Sequence, residues 1–200
     1  MRYKCGLAAA GWMGVLASVL GAAGSATQPA ASQPAAPAAA SSRPAATQLD
    51  FLPRPVEHRA FTVAGIDFTE GEFRSYLIPQ AWIALAPQLH RIPHQVEPLT
   101  LYGVWHRKPG ALHSSYLVGV QVIEVRDLPE GITAVDVPAG RYAMMEHIGN
   151  LAYASRTYGS IQRWMTDNKV EAREGPAFEV YDTSQPIDDR YHVPIYKPIR

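Results

Sequence analysis

The sequence predicts an α+β fold in which tandem, pseudo-symmetric β-α-β-β units form antiparallel sheets with two main helices. Three observations carry this reading. Short apolar runs with period-two alternation recur from Val56 onward, two stretches carry apolar residues at helical spacing, and the order strand–helix–strand–strand occurs twice. Laid over each other, the halves correspond at an offset of about 75 residues, LYGVW matching AFEVY and YLVGVQV matching YHVPIY.

The elements follow in order. Val56 to Phe68 (VEHRAFTVAGIDF) has the β-branched and aromatic residues of a strand, with Gly65 read as a bulge. Pro79 suits the first turn of a helix whose apolar stripe is Ile78, Trp82, Leu85 and Leu89, and Pro87 predicts a kink or an early end. Leu101 to Trp105 and Tyr116 to Val125 are the next strands. Ile132 to Ile148 is strand-like, with a break at Pro138 to Gly140. Leu151, Ala154, Tyr158, Ile161 and Met165 recur at 3.6-residue spacing and predict a helix over 151–167. Trp82 and Trp164, at helical spacing, are read as core. Ala177 to Tyr181 is another strand. Tyr191 to Tyr196 closes the series and is placed at a sheet edge, because Pro194 cannot donate to a ladder.

The chain divides into three parts. Residues 1–26 combine a basic start (Arg2, Lys4), an uncharged apolar run from Leu7 to Ala23 and the small residues Gly24-Ser25-Ala26, the pattern of a secretory signal peptide. An uncut membrane anchor is the alternative, because the run approaches the lower length for spanning. Residues 27–48 form a linker in which 16 of 22 residues are Ala, Pro or Ser, a composition that cannot build a core. Residues 49–200 are the folded domain. The expected location is exported, periplasmic or extracellular.

The single cysteine, Cys5, lies in the signal, so no disulfide or thiolate chemistry is expected after cleavage. Removing Arg2 and Lys4 leaves 16 basic against 18 acidic residues, a net charge of about −2, and no helix-turn-helix, zinc finger or basic run occurs. No nucleic-acid partner is therefore expected. Phosphate-binding loops, GxSxG elbows and HExxH spacings are missing too, so neither cofactor nor metal is called for. His147 reads as a structural or surface histidine rather than a catalytic one.

Within GPAFEVYD, strand alternation sets Ala177, Glu179 and Tyr181 on one face and Phe178 and Val180 on the other. A carboxylate among apolar residues is either a solvated outer-face glutamate or the polar anchor of a pocket, where it could attract a cation or act as a general base. In the overlaid half the matching position is Gly103, which leaves room beside the acid if the two strands lie near the pseudo-twofold. Trp105, Tyr116, Tyr181 and Tyr102 could supply an aromatic box or simply core packing.

The stretches LYGVWHRKPG, SSYLVGVQV, DLPEGITAVDVPAGRYAMMEHIG, GPAFEVYD and YHVPIYKPI, in this order, resemble the GyrI-like small-molecule-binding domain, also called the AraC- or BmrR-type effector-binding domain. The resemblance covers roughly residues 53–200. It implies paired β-α-β-β units around a central cleft for lipophilic, aromatic or cationic compounds. It also implies a buried glutamate at Glu179, walled by Trp105, Tyr116 and Tyr181, with Tyr102 and Trp82 as secondary candidates. Two departures stand out: Gln121 replaces an acid found in many relatives, and Ile148-Gly149-Asn150 replaces the usual Gly-Pro after His147. The function expected is an exported small-molecule-binding domain whose partner is a small hydrophobic or cationic molecule, with membrane contact only through an uncleaved anchor. The alternative is a small cofactor-independent hydrolase using Glu179 as general base, and a partner-binding module displayed on the tether is a third class.

Overall fold

The computed structural model describes residues 51–69, 78–112, 114–186 and 188–200, so the signal and linker expectations lie outside the described residues. Eight strands and two α-helices are described: β1 (Arg54–His58), β2 (Phe61–Thr69), α1 (Ile78–Leu89), β3 (Thr100–His106), β4 (Ser115–Val122), β5 (Thr133–Val137), β6 (Gly140–Ile148), α2 (Ala154–Asp167), β7 (Ala177–Asp182) and β8 (His192–Pro198). A short 3-10 turn, Leu151–Tyr153, leads into α2. No described helix is long and apolar enough to cross a membrane.

All eight strands join one antiparallel sheet, in the order β1-β6-β8-β7-β3-β4-β2-β5. Two three-stranded halves, β6-β8-β7 and β3-β4-β2, meet at β7 and β3. The expected repeat is therefore real, with its pseudo-twofold between those strands. The strand ahead of each half crosses to the other half: β1 pairs with β6, and β5 with β2.

Helix α1 packs on β2 and β4, while α2 packs on β6 and β8. Their stripes bury Ala81, Trp82 and Leu85 in one helix and Thr157, Ile161 and Met165 in the other. Each helix thus covers its own half, and the helix-facing side of β3 and β7 lies between them. Pro87 does not interrupt α1, which ends two residues later.

The opposite face covers itself. Phe61 of β2 and Phe178 of β7 lie three strand positions apart, about 14 Å in a flat sheet. Their ring centroids are nevertheless 5.1 Å apart. The sheet therefore curls, and Phe61, Val63, Val104, Leu117, Val137, Tyr142 and Phe178 form a second buried cluster inside it.

Three expectations need correction. The single strand Val56–Phe68 is two, separated at Arg59-Ala60, because its ends pair with different halves of the sheet. Gly65 is no bulge, since the register runs unbroken through Gly65↔Gly119. It serves close backbone approach: a Cβ there would sit 1.9 Å from the Val118 carbonyl oxygen. Finally, β8 is internal, between β6 and β7. Pro194 is tolerated because the ladder with β7 holds only Phe178↔Tyr196 and Glu179↔Ile195 and stops one residue short of it.

Candidate functional site

At the pseudo-twofold, Gly103 of β3 and Glu179 of β7 are direct cross-strand partners. Alternation turns Glu179 to the helix side, together with Tyr181 and away from Phe178 and Val180. Glu179 is 4% exposed. A Cβ on Gly103 would lie 2.1 Å from the Tyr116 hydroxyl and 2.8 Å from Glu179 Oε2. The space that glycine leaves is filled by a tyrosine from the next strand reaching under it to the carboxylate.

Three tyrosine hydroxyls donate to that carboxylate. Tyr116 of β4 and Tyr181 of β7 donate to Oε2 at 2.8 and 2.7 Å, and Tyr158 of α2 donates to Oε1 at 2.7 Å. Burial first, and then the Glu179 charge, pushes all three phenols well above the ordinary tyrosine range, so they remain donors. The Trp105 indole N–H donates in turn to Tyr158. Its ring meets that of Tyr116 at 4.5 Å between centroids, and Trp82 of α1 meets Tyr181 edge-on at 5.0 Å.

The electrostatics are one-sided. Among the described residues, no lysine, arginine or histidine pairs with Glu179. The centre is a buried carboxylate held by neutral hydroxyls in an aromatic shell. Such a charge is costly to bury unless hydrogen-bonded, and an arriving cation gains what no internal cation supplies. Trp82 adds a buried indole nitrogen with no hydrogen-bond partner among the described residues.

Of the sequence-derived candidates, Glu179, Trp105, Tyr116 and Tyr181 come together. Tyr102 does not. It neighbours Gly103 and so points to the inner face, where its ring packs on Phe61 at 5.2 Å and its hydroxyl donates to Gln121. Trp82, read as core, also joins the aromatic wall. Tyr158 was overlooked, because a tyrosine on an apolar helical stripe reads as packing. His147 is structural: Nε2 donates to the Asn150 carbonyl and Nδ1 accepts from Thr157 on α2, tying β6 to its helix. Burial lowers its pKa, opposed by the Asn150 bond and by Glu179. No group of three His, Cys, Asp or Glu that could hold a metal occurs among the described residues.

Comparison with known proteins agrees with this architecture. The GyrI-like small molecule binding domain matches residues 53–200. The transcriptional regulator BrlR of Pseudomonas aeruginosa is 31% identical over 150 residues, covering 73% of this chain and 54% of the regulator, so the chain spans about half of its length. A DNA gyrase inhibitor of Escherichia fergusonii is 24% identical over 113 residues, covering 53% of this chain and 73% of the inhibitor. Among solved structures, SAV2435 bound to tetraphenylphosphonium has a TM-score of 0.61 at 14% identity, covering 74% of this chain and 93% of that one. The C-terminal domain of EcmrR has a TM-score of 0.57 at 15% identity, with 75% and 98% covered. At such identities these structures speak for the fold alone. The chain belongs to the GyrI-like small-molecule-binding domain family.

Proposed function

We propose that this small-molecule-binding domain selects a lipophilic cation with aromatic surface, which it holds over Glu179. The observation that carries the reading is the buried carboxylate with three tyrosine donors and no cationic partner among the described residues. Trp105, Tyr116, Tyr181, Tyr158 and Trp82 supply ring faces on which a cation and flat groups rest. That the similar SAV2435 fold was solved with tetraphenylphosphonium, a cation of four phenyl groups, fits the same chemistry.

Entry lies between the helices, and Tyr158 is the half-buried donor that shifts to admit the ligand. A general-base role for Glu179 is the weaker reading. Three hydroxyls occupy most of its roughly four acceptor positions, leaving little capacity to take a proton from water. The basic start, apolar run and small-residue site of residues 1–26 support export of the domain, the linker holding it clear of the membrane if the signal stays uncut.

Tetraphenylphosphonium, followed by tryptophan fluorescence, tests the site, with triphenylphosphine oxide as a neutral counterpart. The cation binds, and Glu179→Gln weakens it at least about tenfold, roughly 1.4 kcal/mol. Unchanged affinity in that variant rejects the anchor role. Fractionation of cells expressing a C-terminally tagged chain tests export, which a purely cytoplasmic signal overturns.

A further inference from the structure

We propose that the open cavity at the end of the sheet where β3 leaves and β7 enters is a second binding site, for an apolar or aromatic molecule carrying an anionic group. Its volume is about 830 Å³, within the range of small-molecule sites. Trp105, Pro176 and Pro198 give it apolar walls, and its charged lining comprises four basic side chains (Arg107, Lys108, Arg173, Lys197) against two acidic ones (Asp136, Glu174).

Lys108 is already committed, since Asp67 pairs with it at 2.7 Å and with His106 at 3.1 Å. Arg107, Arg173 and Lys197 have no carboxylate partner among the described residues, while Asp136 accepts a hydrogen bond from Thr62 at 2.6 Å. Arg173 is also held in position. Its guanidinium lies 5.3 Å from the Tyr142 ring centroid, and Gly140 makes room for it: a Cβ there would stand 3.2 Å from Nη2. That nitrogen is buried with no hydrogen-bond partner among the described residues, so it is enclosed by the protein rather than offered to a ligand. The remaining donors on Nε and Nη1, without a partner among the described residues, are what a carboxylate, sulfonate or phosphate group engages.

The cavity is distinct from the Glu179 centre. Along β3 and β7 the next same-face pair after Gly103↔Glu179 is Trp105↔Ala177, about 7 Å away, and both of its members line the cavity. Trp105 is therefore the wall between a negative centre and a positive mouth. The mouth repels the cation proposed for Glu179, so it is not that ligand's entrance.

The test uses 2-naphthoate and its neutral amide, titrated against the protein by tryptophan fluorescence. The acid binds at least about tenfold more tightly than the amide, and added salt weakens the acid alone. The double variant Arg107→Gln/Lys197→Gln, changed at two rim positions outside both buried clusters, loses about tenfold for naphthoate. Arg173→Gln loses at least as much, with far-UV circular dichroism confirming its fold, while Glu179→Gln binds naphthoate as the parent does. The proposal is overturned if naphthoate does not bind, if acid and amide bind equally, or if the rim double variant binds unchanged. A clearly changed naphthoate affinity in Glu179→Gln, tighter or weaker, also overturns it, by tying the probe to the carboxylate centre.

Discussion

The two faces of the strand pair β3–β7 carry aromatic clusters of similar size and opposite character. The inner one, with Phe61, Tyr102, Tyr142, Phe178 and Tyr196, contains a stacked Phe178–Tyr196 pair at 4.4 Å and edge contacts to Phe61 and Tyr142. Its hydroxyls leave the cluster, as when Tyr142 donates to the Pro138 carbonyl. On the helix-facing side the hydroxyls point inward, to Glu179. One buried charge separates the two faces. The same residue types in the same strands serve packing on one face and, in the proposed function, recognition on the other.

Substitutions can separate the two. Phe178→Ala, which empties the centre of the inner cluster, is expected to cost about 3–5 kcal/mol by chemical denaturation and to leave cation affinity in the folded protein nearly unchanged. A parallel loss of affinity would show that the faces are not independent.

Alkali should act through the other face. Tyr116, Tyr158 and Tyr181 have folded-state pKa values raised by burial and by Glu179, so above about pH 10 the unfolded chain releases protons that the folded one keeps. Their stabilising contribution is complete below the unfolded pKa and is lost as pH rises towards the folded values. The decline is about 1.4 kcal/mol per pH unit for each tyrosine, measurable as falling denaturation midpoints, with the phenolate absorbance of these three appearing only on unfolding.

Gly103→Ala drives a methyl into the Tyr116–Glu179 contact. It is expected to cost about 1–3 kcal/mol and to abolish cation binding, so retained binding would refute the role of that gap. Tyr181→Phe removes one of two donors to Oε2 and should cost about 1–2 kcal/mol in denaturant. Tyr102→Phe is the smallest change. It should stay within about 0.5 kcal/mol and leave the cation titration untouched, because that hydroxyl donates to Gln121, on the face away from Glu179.

Period-two alternation made the orientation of Glu179 readable, and the overlay of the halves put Gly103 opposite it, because both are properties of single strands. Tyr102 was misassigned by weighing its aromatic character above its parity with Gly103. Tyr158 was invisible for a different reason: whether a helical tyrosine reaches a strand's carboxylate depends on the docking of α2, which no local pattern encodes. Pro194 misled because the rule excluding proline from inner strands assumes a full ladder on both sides, and the β7 ladder is two pairs long. The curl that seals the inner face was equally hidden, being set by the tight Gly65–Gly119 approach and the crossing of β1 and β5.

That crossing also governs how the chain can fold. β1 waits for β6, β2 for β5, and β3 for β7, while β8, the last of the described strands, fits between two that precede it in the chain. The first half can pair β2, β3 and β4 as soon as β4 is made. The ladders that join the halves and complete the second must await β7 and β8, and closure of such distant segments is slow, on the order of milliseconds to seconds.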